Sequence, residues 1–257
     1  MGTRKTMRHV NRGGFSFVGL LPLIAALVAW QLLGSKDSAY FPVPSEWATS
    51  VAELWQKGMV LPALGTTILA FLLTLTLGVV IGSVLGIAVG RSPFMDKLLG
   101  PLLEVGRTMP AGALVPVAVL ILGDSLAMKL SVAVFTSMWP VLLNVRSAAR
   151  QISPEKLEVA RVFGVTKVAA FFKVTLPSLM PNVLLGTQVA APVALILVLL
   201  VEILTQTSGL GREIALAQSG YRASLVYGLV VMVGALGLLV NWGIGRLSPV
   251  IRRFEAT

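Results

Sequence analysis

Apolar positions fall in long blocks divided by short polar stretches, and six blocks are candidates for crossing a bilayer: Phe15–Leu33, Thr67–Gly90, Thr108–Leu122, Leu130–Val145, Val183–Leu204 and Leu225–Trp242. Hydrocarbon about 30 Å thick asks for roughly 20 apolar residues in helical form. The third and fourth blocks are short and hold Pro110, Pro116 and Pro140. Broken spans of that kind are tolerated where neighbouring helices or a water-filled path cover the loosened backbone. In the second block Gly78, Gly82, Gly86 and Gly90 recur every fourth residue. They form one stripe that lets another helix backbone come close. The stripe predicts tight packing within the subunit or at a dimer seam, with an ion path along it as the alternative.

Two shorter stretches break the block pattern. Residues 44–58 begin with Pro44 and Ser45, the serine placed to cap a helix. Trp47, Val51, Leu54 and Trp55 then share one face at helical spacing. This predicts an amphipathic helix lying flat on the outer surface, its tryptophans at the membrane interface. The second stretch, residues 153–177, reads SPEKLEVARVFGVTKVAAFFKVTLP. Ser153, Pro154 and Glu155 make a helix start, and Gly164 supplies a left-handed stop. Thr166 caps a second helix that Pro177 is expected to end. Helices this short need something to pack against. One reading is a surface loop held to anionic lipid by Arg150, Arg161, Lys167 and Lys173. The other is a docking element with Val159, Val162 and Phe163 on its apolar side. Spacing alone leaves both open.

Charge sets the orientation. Sixteen of the 21 Lys and Arg residues lie in residues 1–14, 91–107, 146–181 and 243–257, and five lie in the alternate connections. Basic residues concentrate on the cytoplasmic side, so both termini and the 146–181 segment are expected there. The chain is 56% hydrophobic and only 12% charged, about half the charge of a soluble domain. This identifies an integral membrane protein, and the net charge of +10 follows membrane sidedness instead of marking nucleic acid. The first block exceeds the 7–15 residues of a signal-peptide core, so a retained anchor is expected. There is no cysteine, and His9 sits alone in the basic tail, so neither thiol chemistry nor a metal site is expected.

Candidate chemistry is sparse. No Gly-Lys pair occurs, so there is no phosphate-cradling loop. Gly209-Leu210-Gly211 runs on into Arg212, Glu213 and Ile214, which breaks the dinucleotide pattern. Ionisable residues inside a membrane are costly and invite a functional reading. Glu202, near the outer end of the fifth block, is the one assigned there, either as a residue facing water or a neighbouring helix, or as a lining residue of the translocation path. Gln188 and Asn182 are further lining candidates. No nucleophile with a base and no catalytic set is visible, which disfavours an intramembrane enzyme. An ion-coupled secondary transporter would call for mid-span acids or an internal repeat.

Glu158-Val159-Ala160, then Gly164, then Val174-Thr175-Leu176-Pro177 resembles the cytoplasmic EAA motif of permease subunits in binding-protein-dependent ABC importers. Val159 and Val174 replace the usual alanine and isoleucine. PVPSEW (42–47), Arg91-Ser92 with Met95-Asp96, and Glu202 with Ser208-Gly209-Leu210-Gly211 extend the likeness to the branch importing nitrate, alkanesulfonates and taurine. Leu122-Gly123-Asp124-Ser125, Gln188 and Pro192 depart from that branch, which usually has an arginine at the Gln188 position.

The resemblance implies an all-α polytopic permease of about six spans with type I, MetI-like architecture, forming one transmembrane domain over residues 1–257 of the bacterial inner membrane. It implies coupling through Glu158, Ala160, Arg161, Phe163, Gly164 and Val165 to a dimer of separate ATPase subunits, which bind ATP and magnesium while this chain binds no cofactor. It further implies a second permease, identical or different, and an extracytoplasmic solute-binding protein.

Overall fold

The computed structural model describes residues 21–36 and 38–246, with the backbone alone at 154, 156, 157 and 160. The helices are α1 (Leu21–Leu33), α2 (Pro44–Gln56), α3 (Val60–Gly90), α4 (Pro93–Gly106), α5 (Ala111–Leu122), α6 (Leu126–Arg150), α7 (Pro154–Val162), α8 (Lys167–Ala170), α9 (Leu176–Thr205), α10 (Leu210–Ser219) and α11 (Ala223–Gly245). Among the described residues, four helices are long and apolar enough to cross a membrane: α3, α6, the unit from Lys167 to Thr205, and α11.

The bundle is built on α3, α6 and α9. Val141, Val145, Ala149, Leu179 and Ala190 form one buried cluster between α6 and α9, and Phe71, Ala191, Ala194 and Leu195 form another between α3 and α9. The glycine stripe lies inside the subunit. A Cβ on Gly82, Gly86 or Gly90 would meet the α6 carbonyls of Met138, Leu142 and Arg146 at 2.7, 2.8 and 2.5 Å. Backbone therefore packs on backbone along three turns, which leaves no room for an ion path.

Several predicted boundaries shift. The first span is described only from Leu21, and its earlier residues lie outside the described part, as do the basic tail and His9. The third predicted span is a 12-residue helix, about 18 Å long and short of the hydrocarbon thickness. It joins α4 at a 95° bend, and α4 itself occupies what reads in sequence as a loop. The fourth span is longer than predicted, a continuous 25-residue helix with Pro140 inside it. Pro177 does not end a helix: the chain stays helical from Lys167 to Thr205 through a wide π turn at Phe171–Thr175. A proline ring crowds the carbonyl four residues back. That residue, Lys173, sits in the widened turn, where the backbone has opened to make room.

Helix α2 begins as predicted but is capped differently. Ser45 lies inside the helix after Val43. Its N–H donates to Gln31 Oε1 at 2.9 Å, and its hydroxyl accepts from Gln31 Nε2 at 3.2 Å, which ties α2 to α1. Part of the α2 apolar face turns into the subunit. Trp47 and Leu54 are buried, with Trp47 stacked on Tyr227 and edge-on to Trp30, while Trp55 is exposed.

Candidate functional site: the hook and the opposite knot

Helix α7, the Gly164 turn and α8 form a hook beyond the C-terminal end of α6. Ser153 precedes α7 but does not cap it with its side chain; its hydroxyl donates instead to Glu155 Oε2 at 3.1 Å. Gly164 adopts φ +69° and donates to the Arg161 carbonyl at 2.9 Å, the left-handed stop expected of it. Thr166 accepts from the Ala169 N–H at 3.3 Å and caps α8. Val162 and Phe163 are 85% and 80% exposed, and Val159, Val168 and Phe172 also face outward. Glu158 and Arg161 are exposed and Val165 is half-buried. Apolar side chains thus stand open side by side on a short charged element.

The base of the hook is fixed by charge. Arg146 Nε donates to Asp96 Oδ1 at 2.7 Å, and Arg150 Nη1 lies 2.9 Å from Asp96 Oδ2. Two arginines on successive turns of α6 thus hold α4 beside the hook. Between α6 and α9 a polar cavity of about 330 Å³ opens at this end, lined in part by Asn144, Ser147, Gln151, Ser178 and Asn182. Gln188 stands half-buried on α9, two turns beyond Asn182.

At the opposite end of the bundle Glu202 is fully buried. Thr67 Oγ1 donates to its carboxylate, 2.9 Å from Oε2, and the Gly211 N–H donates to Oε2 at 3.0 Å. Lys129 Nζ donates to Oε1 at 3.0 Å and to the Ser208 carbonyl at 2.8 Å. Thr67 in turn accepts from the Leu210 N–H at 2.8 Å. Lys129 is 2% exposed, and among the described residues this is the one ion pair with both partners buried. The Gly209 and Gly211 positions explain the Ser208-Gly209-Leu210-Gly211 signature, because a Cβ on either would run into Glu202.

Sequence reasoning missed Lys129 and took Glu202 as the lone intramembrane charge. Thr67 and Lys129 both stood at predicted span edges, where polar residues are ordinarily assigned to water. The available signal was the acid itself, since a carboxylate in an apolar helix calls for a partner.

A bundle of spanning helices thus carries an apolar-tipped hook at one end and a buried polar knot at the other. The family described as "binding-protein-dependent transport system inner membrane component" matches residues 78–253, and the chain belongs to it. Similar proteins include the nitrate import permease NrtB of Synechocystis, 28% identical over 88% of this chain and 85% of its own length. The bicarbonate permease CmpB of the same organism is 28% identical over 94% and 90%. The putative aliphatic sulfonates permease SsuC of Bacillus subtilis is 26% identical over 87% and 82%. Among solved structures, an inward-facing MetNI methionine ABC transporter aligns with TM-score 0.64 at 17% identity, covering 77% of this chain and 97% of that one. An amino acid ABC transporter aligns with TM-score 0.60 at 20% identity over 79% and 97%. The chain is therefore a permease subunit of an ABC importer with MetI-like architecture, and the ion-coupled alternative loses its support.

Proposed function

We propose that this chain forms the solute path of an importer for a small anion or organic solute of the nitrate, bicarbonate or sulfonate kind, and that a separate ATPase dimer drives it through the hook. The ATPase chains hold ATP and magnesium, a solute-binding protein delivers cargo on the far side, and a second permease completes the path. Both termini and the hook are cytoplasmic in this reading, following the basic-residue bias.

The observation that carries the proposal is the open apolar tip at Val162 and Phe163, flanked by Glu158 and Arg161. A tip of this shape fills a partner groove, with the two charges at its polar rim. Ala160, Gly164 and Val165 complete the segment: the glycine makes the turn and keeps it narrow. Asn182 and Gln188 line the path on α9, supplying neutral hydrogen-bonding groups. Glu202, its acceptors engaged inside the subunit, holds the bundle end and stays out of the path.

Phe163→Asp tests the docking role. The variant is expected to insert at wild-type levels, to lose copurifying ATPase and to lower ATP-driven uptake into vesicles by about tenfold or more, the cost of a charge in an apolar contact. Unchanged uptake with ATPase still bound overturns the proposal.

A further inference from the structure

Along most of their length α3, α6 and α9 meet through apolar packing. At the Glu202 end they meet through six polar contacts that also take in the Ser208–Gly211 turn and α10. Buried charge pairs are not the most economical way to hold helices, since apolar residues of similar volume do as well or better. What the polar set adds is direction. Each group is satisfied in one arrangement, and sliding α3, α6, α9 or α10 past the others strands a charge or an amide in a dry place.

We infer that this knot is a rigid clamp in the transport cycle, with Lys129 as its positioning residue. It joins the far ends of α3, α6, α9 and α10 into one body. The hook is continuous with that body through the unbroken helix from Lys167 to Thr205. A push on the hook therefore arrives at the far end as movement of the whole body instead of being dissipated as helices slip. Lys129 acts through Glu202, to which it is bonded, and through the Ser208 carbonyl, which it draws down beside α10; it touches no solute. The inference rests on the importer reading and adds the part of the molecule that carries the stroke.

The chain contains no cysteine, so paired spin labels can be placed on it at will and read in the transporter assembled with cysteine-free variants of its ATPase and binding protein. With labels at Leu61→Cys on α3 and Leu216→Cys on α10, both exposed positions, the distance is expected to stay the same with and without bound nucleotide. A change of about 5 Å, one helical turn, overturns the clamp. The second measurement uses Lys129→Met with Glu202→Gln, a neutral pair of similar size. Assembly and ATP hydrolysis are expected to persist while solute taken up per ATP falls about tenfold, and Lys129→Arg with native Glu202 is expected to keep more of that ratio than Lys129→Met does. A neutral pair that couples as well as wild type reduces the knot to an assembly element and overturns the inference. If the neutral pair fails to assemble, the spin-label distance decides. Wild-type transporter that takes up nothing on ATP addition sinks the importer reading instead, and leaves the label distance to be read independently.

Discussion

At Gly209 two requirements coincide. Its φ of +148° lies where side chains are rarely found, and the Glu202 carboxylate fills the space a Cβ would take. Gly58 shares only the first requirement, with φ +70° and nothing nearby. Gly58→Ala is expected to cost about 1 kcal/mol, whereas Gly209→Ala also forces the buried carboxylate off its donors, at a cost of about 3–5 kcal/mol for a broken buried pair. Thermal melting of the detergent-purified protein distinguishes them: a Gly209→Ala variant as stable as Gly58→Ala would mean that Glu202 has room to move. The acid was legible in sequence as an anomaly, and the glycines as part of a family likeness. That Lys129 and Thr67 complete this contact was not legible, because 73 and 135 residues separate them from Glu202 and helical periodicity says nothing about which ends meet.

At the level of elements, the hook was the most legible part, since its start, glycine turn and Thr166 cap each depend on residues close in sequence. Its exit was misread at Pro177, where local preference favours a stop. Here the π turn relieves the proline and packing against the bundle carries the helix on. Helix α4 was missed for the opposite reason: its Pro93 start, Asp96 and Pro101 resemble a loop until Arg146 and Arg150 are seen to hold it. In the hook, Gly164→Ala meets no neighbour within 4 Å and bears only the strain of φ +69°, about 1–2 kcal/mol. It is expected to insert normally and to reduce ATP-driven uptake less than Phe163→Asp does. A Gly164→Ala loss equal to that of Phe163→Asp would place the turn itself in the partner contact.

For the whole molecule, the prediction concerns sidedness. Tyr221 is 88% exposed at the knot end and Phe163 80% exposed at the hook. In intact cells a membrane-impermeant maleimide is expected to label Tyr221→Cys, and to reach Phe163→Cys, in the chain expressed without its ATPase, only after the membrane is opened. The reverse pattern would invert the orientation drawn from basic residues. Span number was less legible than span existence, because hydropathy counts apolar length and cannot register a 95° bend.

The seam between α3 and α6 carries a further consequence. Where the glycines lack a Cβ, a hydrogen on Cα points at the carbonyls of Met138, Leu142 and Arg146, the arrangement of weak C–H···O bonds worth about 0.5–1 kcal/mol each. Their spacing repeats with the helix, so a shift along the axis weakens all three at once. The two helices thus resist any slip shorter than a full turn and hold together as one plank.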